Sequence, residues 1–442
     1  MSKALLLGAG MVAKPIAEYL LNNNIELTIA SRTVAKAEKL IGNNKNGKTV
    51  SWNTDDLDTL EKLVSTHDIV ISLLPYTHHV TVAKLCIQHK KNMVTTSYVS
   101  PEMKALDAEA RKAGIIILNE IGVDPGFDHM TAMRIIDKVK GDGGKIKEFY
   151  SLCGALAAPE EADNPFRYKF SWSPKGVIMA GNNNAKYLKN GEIVEVPTEN
   201  LFKNPLQIDF PGVGKMEVYP NRDSLAYIDI YNIQEVETMY RGTFRYPNWC
   251  KIMDIMKTLG LVSTEIQNFE GKTYKEVVAE KIDVYPKNVK EKVVGRLKLE
   301  LDGPAINAID WLGYFSNDKV TITEGSTFDI TADLMLKKMM LPEGARDMVI
   351  MQHSLLIEKA NGQKEVIKSR LLDFATANDT SIARTVALPA AIAVKMILNG
   401  EIADKGVRVP ISKSIYEPVL SELEKMGIAM VEEWGLPEEG KL

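Results

Sequence analysis

The sequence predicts an α/β chain, a doubly wound parallel sheet with a second α+β domain built on a mostly antiparallel sheet. Three observations predict it. Short β-rich runs alternate with helical patterns over residues 1–124, which implies βαβ units. Those runs are apolar throughout, as strands covered by helices on both faces are. Past Gly122 the texture shifts to longer strand-like runs joined by Asn-Gly pairs, the mark of hairpins.

The first part has strand-like runs at 4–8, 26–30, 68–74, 92–96 and 115–119, with a weaker run near 49–52. Helical patterns lie between them at 12–23, 33–41, 80–90 and 101–114. One amphipathic helix, 128–140, follows the change at Gly122. Strand-like runs then come at 148–154, 168–172, 216–220, 225–231 and 238–246. Asn190-Gly191 and Asn361-Gly362 each sit where two strands are joined, the second pair within one long antiparallel hairpin, 349–374. The chain turns helical again over 381–399 and 412–426. The expected division is therefore 1–124, 125–379 and a C-terminal helical segment, 380–442, that returns to the first domain.

Composition bounds the function. The 442 residues give room for two or three domains, and 45% apolar with 25% charged residues is ordinary globular usage. A net charge of -4 offers no basic field for nucleic acid and no polybasic membrane anchor. An anionic substrate would have to be held by local arginines. Cys86, Cys153 and Cys250 have no close pairing, which speaks against a disulfide framework or a zinc site and for a reducing cytoplasm. The N-terminus runs straight into a strand and a glycine turn, leaving no room for a signal peptide. The apolar stretch 385–398 is interrupted by Pro389 and Lys395. It is expected to be a buried helix too short to span a bilayer.

The segment KALLLGAGMVAKPIAEYL places G-x-G-x-x-A between a strand and a helix. Gly8 permits the tight turn, Gly10 lets the backbone approach a pyrophosphate, and Met11 and Val12 complete the loop. Ala13 fills the third small position, and the helix N-terminus favours the anion. Pro15 falls near the first helical turn, where a missing N–H matters least. With a βαβ array behind it, the pattern reads as a Rossmann dinucleotide site. The end of the second strand decides which dinucleotide. An NAD site usually offers a carboxylate there, whereas this chain offers Ser31, Arg32 and Thr33, with Lys36 close behind. A hydroxyl and a guanidinium suit a 2′-phosphate, so NADP is the expected cofactor.

The carboxyl ends of the other strands should rim the same crevice. They deliver Ser72, Leu73 and Leu74, then Ser97 and Tyr98, then residues 119–124. Leu74 and Pro75 can contact the nucleotide without chemistry of their own, while Ser97 and Tyr98 suit a substrate. Asp124 precedes a Pro-Gly turn as a polar contact to substrate or nicotinamide, and Asp128 reads as the N-cap of the next helix. His78 and His79 share a loop but point apart, a poor metal site. The second domain supplies Arg222 after a strand and the group Arg241, Gly242, Thr243, with Arg245 beyond. An arginine beside a glycine would present side-chain and backbone donors together to a carboxylate. Trp172 and Cys153 fit the core as readily as a pocket wall. No P-loop, H-E-x-x-H, paired CxxC or G-x-S-x-G occurs.

With these residues in hand, the chain resembles the saccharopine dehydrogenase family, specifically its glutamate-forming branch. The resemblance is carried over essentially the whole length by LLLGAGMVAKP, ASRT, SLLPYTHH, TTSYVSPEM, NEIGVDPGFDHM, YPNRDS, YRGTFR and SIARTVALPAAIAVKMIL. It implies NADP-linked, reversible interconversion of saccharopine with glutamate and 2-aminoadipate 6-semialdehyde, in lysine metabolism. It further implies that Ser97, Tyr98, Arg222 and the Arg241–Thr243 turn bind saccharopine. Val123, Asp124 and Pro125 would lie between substrate and nicotinamide, and the second domain would also form a homodimer. Asp124 is the expected proton carrier, with the substrate's own amine as a rival. Outlying members make carboxynorspermidine or homospermidine on similar scaffolds, and a non-catalytic NADPH-binding protein is a further alternative.

Overall fold

The computed structural model describes residues 1–442. Its first elements are β1 (Lys3–Leu7), α1 (Ala13–Asn22), β2 (Glu26–Ser31), α2 (Val34–Ile41), β3 (Gly47–Ser51), α3 (Leu57–Thr66) and β4 (Ile69–Ser72). After them come α4 (His79–Gln88), β5 (Asn92–Thr95), α5 (Pro101–Lys104), α6 (Asp107–Ala113), β6 (Ile116–Leu118) and α7 (Phe127–Gly141). Local chemistry sets the helix starts. Asp56 accepts the Thr59 N–H at 3.0 Å to open α3, and Ser100 accepts the Met103 N–H at 3.1 Å ahead of Pro101.

The middle of the chain contains β7 (Lys145–Ala157), α8 (Pro174–Ala180), β8 (Ala185–Lys189), β9 (Glu192–Val196), β10 (Leu206–Phe210), β11 (Gly214–Pro220), α9 (Ala226–Ile230) and β12 (Thr238–Arg245). A helical stretch follows: α10 (Trp249–Thr258), β13 (Ile266–Asn268), α11 (Tyr274–Lys281), α12 (Val289–Leu297), α13 (Pro304–Leu312), β14 (Glu324–Ser326) and α14 (Thr327–Lys338). The hairpin β15 (Asp347–Glu358) and β16 (Lys364–Phe374) comes next. The chain ends with α15 (Ser381–Leu398), β17 (Gly406–Arg408), α16 (Lys413–Lys425) and β18 (Val431–Leu436).

These elements form two units, Met1–Gly144 with Ala375–Val431, and Lys145–Phe374 with Glu432–Leu442. The first is a parallel sheet in the order β17-β6-β5-β4-β1-β2-β3, the doubly wound Rossmann arrangement extended at one edge by β17. Its inner strands are buried along nearly their whole length, as a sheet covered on both faces requires. The division departs from the expected one at both ends. Helix α7 stays with the first unit, past the expected boundary at 124, because it packs on α16. The contact is fixed by Tyr416 Oη donating to Asp137 at 2.6 Å and Arg134 meeting Glu424 at 2.5 Å. Residues 432–442, expected to return to the first domain, join the second unit through β18, which pairs β16.

Helix α15 lies against α1 and β5 with Pro389 buried inside it. At 18 residues it is long and apolar enough to cross a membrane, so the expectation that it is too short does not hold. With 78% of it buried within the structure, it is placed as a core helix instead.

The second unit is built on a nine-stranded sheet whose main path runs β10-β11-β12-β7-β15-β16-β18. From β10 to β16 neighbouring strands on this path run antiparallel, except β12 with β7, which run parallel. Asn190 and Gly191, at φ 52° and 80°, turn β8 into β9, and Gly362, at φ 82°, lies in the turn joining β15 and β16. Two expectations fail here, and one region goes beyond them. Where a strand is expected over 225–231 the chain forms helix α9, because Asp223 accepts the Leu225 N–H at 2.7 Å and starts a helical turn whose C-cap, Tyr231, donates its N–H to Tyr227 O. Residues 168–172 form no strand, only an isolated bridge from Phe170 to Met340. The helices between Thr238 and Asp347 were not anticipated. Two of them open with capping boxes, Thr273 with Glu276 and Ser326 with Asp329.

Candidate active site

The nucleotide cradle grows from the β1–α1 turn. Gly8 has φ +105°, a conformation that a side chain rarely adopts, and its N–H donates to Ala30 O at 2.9 Å. Gly10 is exposed, and a Cβ there would meet nothing within 4 Å, so the backbone is open to a ligand from that side. Ala13 is fully buried at the first position of α1, leaving the helix N-terminus pointed at the open glycine loop. Met11 is exposed and Val12 half-buried beside it. At the end of β2, Ser31 Oγ accepts the Thr33 N–H at 3.3 Å. Arg32, Thr33 and Lys36 are exposed, and no carboxylate stands at this turn. An open glycine loop, a helix N-terminus and an exposed guanidinium beside a hydroxyl fit a dinucleotide carrying a 2′-phosphate.

The ends of β4 and β5 are joined by a residue that sequence reasoning considered only as a metal ligand. His79, the first residue of α4, is 4% exposed. Its Nδ1 lies 2.9 Å from Ser72 Oγ and its Nε2 lies 2.9 Å from Ser97 Oγ, with Thr95 Oγ1 at 3.3 Å. Burial, helped by the neighbouring His78, pushes its pKa down to about 4, so the ring is neutral at physiological pH. Leu73 and Leu74, which follow Ser72, are half-buried.

The loop after β6 is strapped to the loop after β5. The Glu120 N–H donates to Ser97 O at 3.1 Å, and Glu120 Oε1 accepts the Val99 N–H at 2.9 Å. The other Glu120 oxygen meets buried His129 Nε2 at 2.8 Å. Gly122 and Gly126 approach so closely that a Cβ on Gly126 would sit 2.2 Å from Gly122 N, and Gly126 has φ +145°. Within this turn the Asp124–Pro125 peptide is cis, and Val123 is buried. Asp128 is not the N-cap. The helix starts at Phe127, and the Asp128 carboxylate accepts the Gly126 N–H at 2.6 Å from within the first turn. The arrangement presents one polar pair, Tyr98 Oη donating to Asp124 Oδ1 at 3.1 Å.

In the second unit, Arg222 is exposed on the loop after β11, with its backbone held at φ 50° and its carbonyl accepting the Lys186 N–H at 2.8 Å. Arg241 is 3% exposed. It donates through Nη1 to Tyr227 Oη at 2.7 Å, and its guanidinium lies 4.2 Å from the Tyr227 ring centre. Residues 241–243 are not a turn. They lie inside β12, hydrogen-bonded to strands on both sides, so Gly242 presents no open backbone donors. Gly242 is there for packing: a Cβ would come within 2.4 Å of Val218 Cγ1 and 2.8 Å of Tyr240 Cε1. The strand period of two instead puts Arg241, half-buried Thr243 and Arg245 on one face. Ser151 and Cys153 of β7 are their register partners, opposite Arg241 and Thr243.

Arg245 differs from Arg241. It makes no ion pair, donates to Phe244 O at 2.8 Å, and is walled by Tyr168, Tyr219 and Trp249 at 5.1, 5.6 and 5.3 Å. Trp172 is half-buried and donates to Tyr168 Oη at 3.3 Å. Sequence reasoning also missed Tyr227, whose spacing of four from Tyr231 was the available sign of a helix.

Comparison with known proteins accords with this geometry. Residues 4–118 match the saccharopine dehydrogenase NADP binding domain, and residues 122–428 match the saccharopine dehydrogenase C-terminal domain. The chain belongs to the saccharopine dehydrogenase family. A Schizosaccharomyces pombe member named saccharopine dehydrogenase [NADP(+), L-glutamate-forming] is 40% identical over 98% of this chain and 99% of its own. The Saccharomyces cerevisiae protein of the same name is 39% identical over 97% and 98%. A solved structure of apo, histidine-tagged saccharopine dehydrogenase (L-Glu forming) from Saccharomyces cerevisiae aligns at TM-score 0.90, with 37% identity, over 98% of this chain and 100% of that one. The match to the family's NADP binding domain contains the glycine loop, Ser31–Arg32, Ser72 and Ser97. The match to its C-terminal domain contains Asp124, Arg222 and Arg241.

Proposed function

We propose that this chain is an NADP-dependent saccharopine dehydrogenase of the glutamate-forming type, interconverting saccharopine with L-glutamate and 2-aminoadipate 6-semialdehyde in lysine metabolism. The observation that carries the proposal is the Tyr98–Asp124 pair beside Ser97, at the carboxyl ends of β5 and β6 of a sheet whose glycine loop fits a nicotinamide dinucleotide. When bound, NADP would supply the hydride acceptor for the methylene carbon beside the secondary amine, whose oxidation leaves the nitrogen with glutamate.

The residues divide the remaining work. Gly8, Gly10, Met11, Val12 and the N-terminus of α1 hold the pyrophosphate, and Ser31, Arg32 and Thr33 hold the 2′-phosphate. Ser72, Leu73 and Leu74 flank the nucleotide, as do Val123 and Pro125 on the far loop. Asp124 accepts the proton released from the secondary amine as the C=N bond forms, with Tyr98 orienting its carboxylate through the 3.1 Å hydrogen bond. After passing that proton to solvent, Asp124 takes a proton from the water that adds to the C=N carbon and returns it to the departing glutamate nitrogen. Saccharopine carries three carboxylates, and Arg222, Arg241 and Thr243 are assigned to them, with Gly242 confined to packing.

The chain is further assigned to the cytoplasm, supported by three buried cysteines of which none forms a disulfide, and to a homodimer, as the family resemblance implies. Product analysis tests the central reading. Incubation with saccharopine and NADP should yield glutamate and the semialdehyde in equal amounts. Turnover of carboxynorspermidine in place of saccharopine would transfer the chain to the polyamine branch. Tight NADPH binding with neither substrate turned over would make it a non-catalytic nucleotide-binding protein.

A further inference from the structure

We propose that His79 is a positioning residue for substrate, its imidazole orienting the Ser97 hydroxyl and coupling it to Ser72 at the end of the neighbouring strand. This rests on the reading of Ser97 as a substrate contact. Three strand-end hydroxyls converge on one buried ring: Ser72 on Nδ1, and Ser97 and Thr95 on Nε2. Ser72 is fully buried, and the ring is its one side-chain partner. Ser97 is only half-buried, so its hydroxyl is held from behind by the ring and retains an open side.

The logic follows from the donor count of a neutral imidazole, which carries one N–H and one lone pair. Ser72 and Ser97 make the two short contacts, 2.9 Å each against 3.3 Å for Thr95, so of these two hydroxyls one accepts from the ring and the other donates to it. Whichever tautomer is present, the direction of the Ser97 proton is therefore set by the ring. In one tautomer Ser97 is left with its O–H to donate to a substrate carboxylate; in the other it offers lone pairs to the substrate nitrogen. A free serine rotor would have to be ordered at the moment of binding, and the ring removes that cost. The backbone of Ser97 is held independently by the Glu120 N–H, so the ring's influence is on the hydroxyl and not on the loop.

Four variants test this: His79→Asn, His79→Gln, Ser97→Ala and the double variant His79→Asn with Ser97→Ala. Asparagine can still reach Ser72 but is too short to reach Ser97, whereas glutamine has the length to reach Ser97. The expected result is a KM for saccharopine raised about tenfold in His79→Asn and in Ser97→Ala, with the KM for NADP within about twofold of wild type. The double variant should be no worse than the worse single one, and His79→Gln should recover most of the loss. Multiplicative losses in the double variant, an equal rise in the KM for NADP, or no change in His79→Asn would overturn the proposal. If the wild type oxidises saccharopine while His79→Asn is unchanged, this proposal alone falls. If the wild type does not oxidise saccharopine, the functional reading falls and takes this proposal with it.

Discussion

Tyr98 donates its phenolic proton to Asp124 across 3.1 Å, joining the loop after β5 to the loop after β6. The two loops are already strapped by Glu120, which accepts from Val99, meets His129 and donates its own N–H to Ser97. The pair therefore stands on a braced frame, and its carboxylate is aimed by structure that does not depend on it. Replacing Asp124 by Asn should keep the fold and lower kcat for saccharopine oxidation by about 10²–10⁴-fold, the range of a lost general base. Tyr98→Phe, which removes only the orienting bond, should cost about tenfold. Steady-state kinetics with matched thermal melts checks both, and an Asp124→Asn enzyme of near-normal kcat would assign the proton to the substrate's own amine.

Cofactor choice depends on Arg32. Its guanidinium is exposed at a turn without a carboxylate, so nothing there competes with a 2′-phosphate. Arg32→Ala should raise the KM for NADP by about 10- to 100-fold, the worth of a charge-assisted hydrogen bond, and leave kcat/KM for NAD within about twofold. Equal losses with both nucleotides would show that Arg32 serves the loop and not the phosphate.

Gly242 gives a prediction about stability. Its missing side chain makes room for Val218 and Tyr240, so Gly242→Ala must displace atoms at 2.4 and 2.8 Å. The cost of such overpacking is about 1–3 kcal/mol, read as a lower denaturation midpoint with unchanged m-value. A stable Gly242→Ala protein with raised KM for saccharopine would restore a direct substrate role to this position.

His79 should make stability depend on pH. In the unfolded chain the imidazole takes up a proton near its ordinary value of 6.5, while burial holds the folded value to about 4. Protons therefore favour the unfolded state: the contribution is complete above pH 6.5 and lost as pH falls to 4, by roughly 3 kcal/mol. His67, also lowered by burial, acts with the same sign. Denaturation midpoints at pH 7 and pH 5 should differ less in His79→Gln than in wild type, and an identical difference would deny the buried ring this role.

The first unit was legible because its signals are local. Gly8 and Gly10 stand between an apolar strand and a helix, and each later strand is a continuous apolar run, so periodicity and turn chemistry agree. The second unit was less legible because its alternations are ambiguous. Residues 225–231 alternate as a strand does, yet Asp223 starts a helix and places Tyr227 against Arg241. Gly242 read as an open donor beside an arginine, but only the pairing of β12 with strands on both sides shows that its backbone is occupied. His79 was visible as a residue and not as a link, since the hydroxyls it joins are 7 and 18 positions away. Long-range contacts of that kind leave no period in a sequence.

The most direct measurement is absorbance at the reduced-nicotinamide band, with the purified chain, saccharopine, and either NADP or NAD. The expected result is reduction with a strong preference for NADP, lost selectively in Arg32→Ala. Absence of reduction with either nucleotide would contradict the account.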